Sequence, residues 1–250
     1  MKKAFLFFSL FLLAAAREPE LPPLSSALSG LPPKFTYQIR DYINKETGFV
    51  TANIYITTVV SGGQKYWHVE SYEGDSFRNR PAYRNSVTLN YSDFTTLSDE
   101  RYNVSDRSSY LIESFTASPD GTINFFHKDK NINLTAKNPG NVYSRYAFLV
   151  SLSGFPFEQK DKVVMNVYMF EYGNVLPLRA VYQGKEKIKV PAGEFECYKL
   201  ELAVDGVLGL FAPDKYYLYY TVAAPHHFVR FYQKVDDGSW LANELIGVSF

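Results

Sequence analysis

Phe35, Tyr37 and Ile39 alternate with Thr36, Gln38 and Arg40, and this period of two returns in run after run along the chain. A strand sends successive side chains to opposite faces, so each run offers a sheet one apolar face. Runs of strand character before residue 142 are Val50–Val60, Lys65–Tyr72, Ser86–Leu97, Ser108–Ala117 and Thr122–Asp129. Later ones are Val163–Tyr172, Leu176–Gln183, Glu186–Val190, Phe195–Val204, Tyr216–Ala223, Phe228–Val235 and Leu241–Phe250. Turn signals part them: Ser61-Gly62-Gly63-Gln64, Ser118-Pro119-Asp120-Gly121 and Pro191-Ala192-Gly193. Phe, Tyr and Trp make 17% of the chain, and flat rings pack well on a pleated surface. The expected fold is mainly β: a curved antiparallel sheet or incomplete β-barrel of about eleven to thirteen strands.

One segment departs from that period. Between Pro139-Gly140 and Pro156, the residues Val142, Tyr146, Leu149, Val150 and Ser153 fall at helical spacing, which predicts a short helix over Val142–Ser153 packed on the sheet. Asn141 is the expected N-cap and Gly154 the expected residue just past the end.

The N-terminus carries an address. Lys2 and Lys3 precede the apolar run Ala4–Ala16, which ends in three alanines before Arg17. That is the pattern of a cleaved secretory signal, and the run is short of the roughly 20 apolar residues a membrane-spanning helix needs. No Cys follows it to take a lipid. Residues 17–34 hold five prolines and are expected to be a tether, leaving 35–250 as a single β-rich domain. Cys197 is the only cysteine, so stability must come from the core rather than from a disulfide within the chain. A short signal without disulfides points to a bacterial periplasmic or secreted protein.

Charge excludes one class of partner. Lys and Arg total 26, as do Asp and Glu, and loss of Lys2 and Lys3 with the signal leaves a slight acidic excess. A nucleic-acid binder needs the opposite balance.

From residue 142 onward the sequence resembles the family known as domain of unknown function 3108. The resemblance rests on Leu152-Ser153-Gly154-Phe155-Pro156-Phe157, on Gly184-Lys185-Glu186 running through Val190-Pro191-Ala192-Gly193-Glu194-Phe195, and on Pro225-His226-His227-Phe228-Val229-Arg230. It implies an exported β-rich protein with no established catalytic activity. By analogy of fold it implies kinship with half-open barrels that carry lipoproteins and lipids across the periplasm.

Candidate chemistry is sparse. Gly74-Asp75-Ser76-Phe77 resembles a Gly-Asp-Ser-Leu esterase block, yet none of His68, His127, His226 and His227 has the Asp three residues earlier that would complete such an enzyme. A polar turn explains the block. His226 and His227 are adjacent, so on a regular strand they face apart and cannot share a metal. Cys197 has Lys199 on its face, which is thin support for a reactive thiol against a structural one. Asp99-Glu100 and Asp236-Asp237 suit solvated turns. No catalytic residue, metal ligand or cofactor is assigned, and the protein is expected not to be an enzyme.

Tyrosine clusters carry what functional content remains. Tyr216, Tyr217, Tyr219 and Tyr220 put rings on both faces of one strand. One face can be core, and the other must be covered or lie against something amphipathic, as a ring with a polar tip suits. The candidate ligand contacts are Tyr217 and Tyr219 with Tyr146 and Leu149 of the helix, and the expected partner is a lipid, a lipoprotein or another amphipathic envelope component. Two alternatives stand beside this. Ile246, Val248 and Phe250 share a face at the C-terminus, as in outer-membrane barrels, and a structural or interaction role needs no ligand.

Overall fold

A computed structural model describes residues 24–43, 46–75, 80–104, 109–169, 173–206, 209, 215–234 and 240–250. The signal at 1–16 and Ser76, the serine of the esterase-like block, lie outside these, as do Asp236 and Asp237. The first half is a meander of β1 (Lys34–Ile43), β2 (Glu46–Ser61), β3 (Gln64–Asp75), β4 (Arg80–Asn90), β5 (Thr96–Val104), β6 (Ser109–Ala117), β7 (Thr122–His127) and β8 (Ile132–Lys137). The second begins with the two-residue β9 (Val142–Tyr143) and continues through β10 (Lys162–Met169), β11 (Asn174–Val190), β12 (Gly193–Val204), β13 (Tyr216–Thr221), β14 (Phe228–Lys234) and β15 (Trp240–Ser249). β1 pairs with β15, which fuses both halves into one 15-stranded sheet with β8 at one end and β9 at the other. All neighbours run antiparallel except β9 with β10.

Local chemistry explains the turns. Gly62 and Gly63 both have positive φ, 57° and 78°, the conformation of a tight hairpin whose twist matches its strands. The expected strand Ser86–Leu97 divides into β4 and β5 because Asp93 Oδ1 accepts from the Thr95 amide at 2.9 Å and turns the chain with Phe94 at φ 59°. In β11, by contrast, two expected strands are one. It runs on past a register shift between Tyr182 and Lys185, where Gly184 takes φ 96° and bends the hairpin.

That bend curls the sheet. The turn after β11 swings back until the Ala192 amide donates to the Leu245 carbonyl of β15 at 3.1 Å, four places away in sheet order. At the far side the ends approach through side chains instead of a ladder: the Phe115 ring lies 4.7 Å from Tyr168 and Phe125 lies 5.7 Å from it. The sheet is thus strongly curved but not closed into a barrel.

Two stretches differ from expectation. Leu24 to Pro33 is no loose tether: Leu24 is 1% exposed within the core and Ser26–Ser29 forms one helical turn. The Ser25 amide donates to Gly154 O at 3.0 Å and the Ser26 amide to Ser92 O at 2.9 Å. Prolines stop regular structure, but they do not stop packing. The helix expected over Val142–Ser153 is shorter and broken. Val142 and Tyr143 pair with β10 as a strand, Arg145–Ala147 is a 3-10 turn, Phe148–Ser151 (α2 after the first helical turn) is the α-helical part, and Leu152–Gly154 is 3-10 again. Ser144, not Asn141, caps it, accepting from the Tyr146 amide at 3.1 Å. Asn141 instead takes φ 48°.

Candidate functional site

The broken helix crosses the inside of the curled sheet and is tied to it on both sides. On one side the Ser144 amide donates to Thr96 Oγ1 at 2.7 Å, and the Ser144 hydroxyl donates to the Asp99 carboxylate. On the other, the Tyr220 hydroxyl donates to the Phe148 carbonyl at 2.6 Å. Leu24, Phe94 and the Gly154 turn pack beneath one end, where a Cβ on Gly154 would lie 2.5 Å from Ser25 O.

Between this segment and the inner face of β10–β15 lies a cavity of about 410 Å³. Phe148 and Leu149 form one wall; Val167, Leu178, Leu202, Leu218 and Phe231 form the facing one. Tyr216 closes the rim, its ring 6.0 Å from Phe231. The polar lining is Arg145, Tyr146, Gln233 and Asn243. A pocket of this size with an apolar body and a few convergent polar groups has the make-up of a small-molecule site.

Tyr146 and Leu149 therefore line the cavity, while Tyr217 and Tyr219 take the opposite face of β13, where Tyr219 is 6% exposed and packed within the core. There the Lys199 ammonium lies 5.1 Å and 5.7 Å from their ring centres and pairs with Glu186 at 3.1 Å. The side chains that β13 turns inward are Tyr216, Leu218 and Tyr220. Register decides this: Leu200 stands opposite Leu218 and Leu202 opposite Tyr216, and opposed residues share a face. The signal lay in the apolar set Tyr198, Leu200, Leu202 and Val204, which must face the same side as its partners.

Beside the cavity is a polar patch that no single stretch of sequence announces. Across β2 to β7 one inward row reads Ile54, Ser71, Asn85, Arg101, Glu113 and His127, each opposite the next. Asn85 donates to Ser71 at 3.0 Å, the Tyr146 hydroxyl donates to Glu113 at 2.6 Å, and His127 lies 3.6 Å from Glu113. The Tyr146 ring has the Arg101 guanidinium at 5.0 Å and that of Arg145 at 4.9 Å. Asp99, one row deeper, has no exposed surface. Burial pushes its carboxyl up to about 7, with the Glu113 charge adding and the Ser144 hydrogen bond and both arginines opposing. Burial also raises Glu113, against the Tyr146 hydrogen bond and the two arginines.

Other candidates have plain structural partners. Cys197 is buried with its Sγ 3.6 Å from Phe195 O, and desolvation, with Glu186 and Glu196 adding, pushes the thiol up to about 12. A thiol so placed is a poor nucleophile. His227 Nδ1 meets the Tyr37 hydroxyl at 3.1 Å, and His226 Nδ1 meets Thr221 O at 2.9 Å. Among the described residues no cluster of three or more His, Cys, Asp or Glu side chains is arranged to hold a metal ion, and no helix is long and apolar enough to cross a membrane.

The family model for proteins of unknown function DUF3108 matches residues 36–245. This chain belongs to that family. The match begins at β1 and ends inside β15, so the DUF3108 unit is the whole curled sheet together with its internal segment. Among solved structures the DUF3108 chain is similar to a β-barrel-like DUF1849 protein from Brucella abortus, at 7% identity and a TM-score of 0.49, over 86% of this chain and 97% of that one. It is also similar to a domain described as of the outer membrane lipoprotein-sorting type from Vibrio parahaemolyticus, at 8% identity and a TM-score of 0.30, over 87% of this chain and 85% of that one. A DUF1329 family protein from Desulfovibrio piger aligns at 10% identity and a TM-score of 0.28, over 90% and 88%. Among curated proteins none matches the sequence.

The structure accounts for the DUF3108 motifs. Gly184 opens the bulge that folds the β11–β12 hairpin inward, Val190-Pro191-Ala192-Gly193 forms the turn that reaches β15, and Phe195 packs against the core behind it. Gly154 is the one residue small enough for the crossing between the internal segment and Ser25. These motifs shape the interior.

Proposed function

We propose that this protein binds a lipid or other amphipathic component of the cell envelope in its internal cavity, without catalysing a reaction, and that it does so in the periplasm. One observation carries the binding proposal: a cavity of about 410 Å³ lies inside the sheet, apolar at Val167, Leu178, Leu202, Leu218 and Phe231 and polar at Arg145, Tyr146, Gln233 and Asn243. A ligand with an apolar body and one polar end matches both surfaces. The signal-like run after Lys2 and Lys3 supports the location.

Native mass spectrometry of protein taken from the periplasm tests this. The expected spectrum carries an adduct of lipid mass that organic extraction removes. Leu202→Trp, which fills the cavity from its wall, should lose the adduct while melting at least as high as the parent. An adduct-free spectrum from gently handled parent protein, together with no uptake of added lipid, refutes the proposal and favours a structural or interaction role.

A further inference from the structure

The cavity has a size and an electrical polarity, and together these narrow the ligand. A methylene group is about as large as a water molecule, which occupies ~30 Å³ in the liquid. A cavity of 410 Å³ thus takes roughly fourteen such groups, which is one acyl chain. Two chains of that length need about twice the volume and three about three times.

Charge orients the chain. At one end Arg145 lines the cavity, with Arg101 on the Tyr146 ring beside it. The carboxylates facing these two arginines are Asp99 and Glu113, and each takes a hydroxyl hydrogen bond, from Ser144 and Tyr146. Asp99 has no exposed surface and Glu113 is spanned by the Tyr146 hydroxyl, whereas Arg145 itself lines the cavity and a guanidinium keeps its charge, so the charge presented at that end of the lining is positive. His127, the remaining titratable neighbour, faces Glu113. At another part of the lining Asn243 donates its amide to the Asp41 carboxylate. An anionic head is attracted to Arg145.

Resting on the lipid-binding reading above, we propose that the ligand is a single-chain amphiphile with an anionic head, its chain along β10–β14 and its head at Arg145. The guanidinium fork suits a carboxylate or a phosphate equally. Free fatty acids and lysophospholipids share that chemistry.

Isothermal titration of the full mature chain, freed of co-purified lipid, tests the proposal with probes held below their micelle concentrations. Tetradecanoate and a myristoyl lysophosphatidylglycerol stand for the two head types. Dodecyl maltoside is the neutral single chain, dodecyltrimethylammonium the cationic one, and short-chain dihexanoyl and dioctanoyl phosphatidylglycerols are the two-chain anionic lipids. The expected order is dodecanoate over dodecyl maltoside, matched in chain length, by about tenfold or more, with the dodecyl cation weakest, and affinity falling about fourfold for each methylene removed along the series tetradecanoate, dodecanoate, octanoate. Which anionic probe binds tighter identifies the head. Arg145→Gln should bring the anionic-to-neutral ratio close to one, and Arg145→Lys should restore part of it.

Equal binding of neutral and anionic chains by the parent protein overturns the charge assignment, whatever the Arg145 variants do. Tighter binding of dioctanoyl phosphatidylglycerol than of octanoate and the lysolipid overturns the single-chain assignment. If no probe of any charge binds, the lipid-binding reading itself fails, which separates the two outcomes.

Discussion

Gly154→Ala should destabilise the protein by about 3 kcal/mol. The new methyl carbon would lie 2.5 Å from Ser25 O, 2.9 Å from Ser25 C and 2.8 Å from Phe94 Cε2. Two of those atoms are backbone, so relief requires the N-terminal segment to move away. Overpacking of a tight site costs about 1–3 kcal/mol. Movement of Ser25 also loosens its amide bond to Gly154 O, 3.0 Å long, worth about 1 kcal/mol. At about 2–4 °C per kcal/mol for a domain this large, the melting midpoint should fall by roughly 6–12 °C. Urea titration of the parent, the variant, and both with residues 1–30 removed closes a cycle. Without Ser25 only the Phe94 contact remains, and an aromatic edge can yield, so the alanine should then cost about 1 kcal/mol. A cost below about 0.5 kcal/mol in the full chain, or the same cost with and without the N-terminal segment, would show that the segment does not press on Gly154.

Other perturbations probe the ties of the internal segment. Because burial holds Asp99 above its unfolded value, its contribution to stability is complete below pH ~4 and is lost as pH rises through about 7. The swing is on the order of 4 kcal/mol, and urea midpoints across pH 4–8 should lose most of that slope in Asp99→Asn. Tyr220→Phe removes the bond to the Phe148 carbonyl, which keeps its helical partner Leu152, so the expected cost is about 1 kcal/mol by denaturant titration, with faster amide exchange over 148–152. Glu113→Gln keeps an acceptor for the Tyr146 hydroxyl but removes a charge beside both arginines, and should strengthen binding of tetradecanoate relative to dodecyl maltoside.

Sequence carried the sheet well and the site less well, for reasons visible in particular residues. Alternation in Phe35-Thr36-Tyr37-Gln38-Ile39 and the glycines at 62 and 63 are local signals, and local geometry follows from them. The helix over Val142–Ser153 was half legible. Its spacing is helical, but Phe148, Val150 and Leu152 are buried on every side, so the segment has no solvent face to select a regular helix. Prolines before residue 34 signalled irregular chain and concealed the burial of Leu24. The inward face of β13 depends on register with β12, a relation between strands rather than within one. The patch of Arg101, Glu113 and Tyr146 is hidden for the same reason, since its members come from separate elements that only the folded register aligns.

The pairing of β1 with β15 sets when this chain can fold. β1 is among the first strands made, yet it lies at the middle of the sheet and meets its second neighbour only when Leu241–Ser249 has been synthesised. Until then β1 and β14 are both open edges and the two halves have no common ladder. Closure over some two hundred residues carries a large loop entropy and is a late step. A chain built in this way cannot complete its sheet until β15 is made, and deletion of Trp240–Ser249 would expose two aggregation-prone edges in place of one sheet.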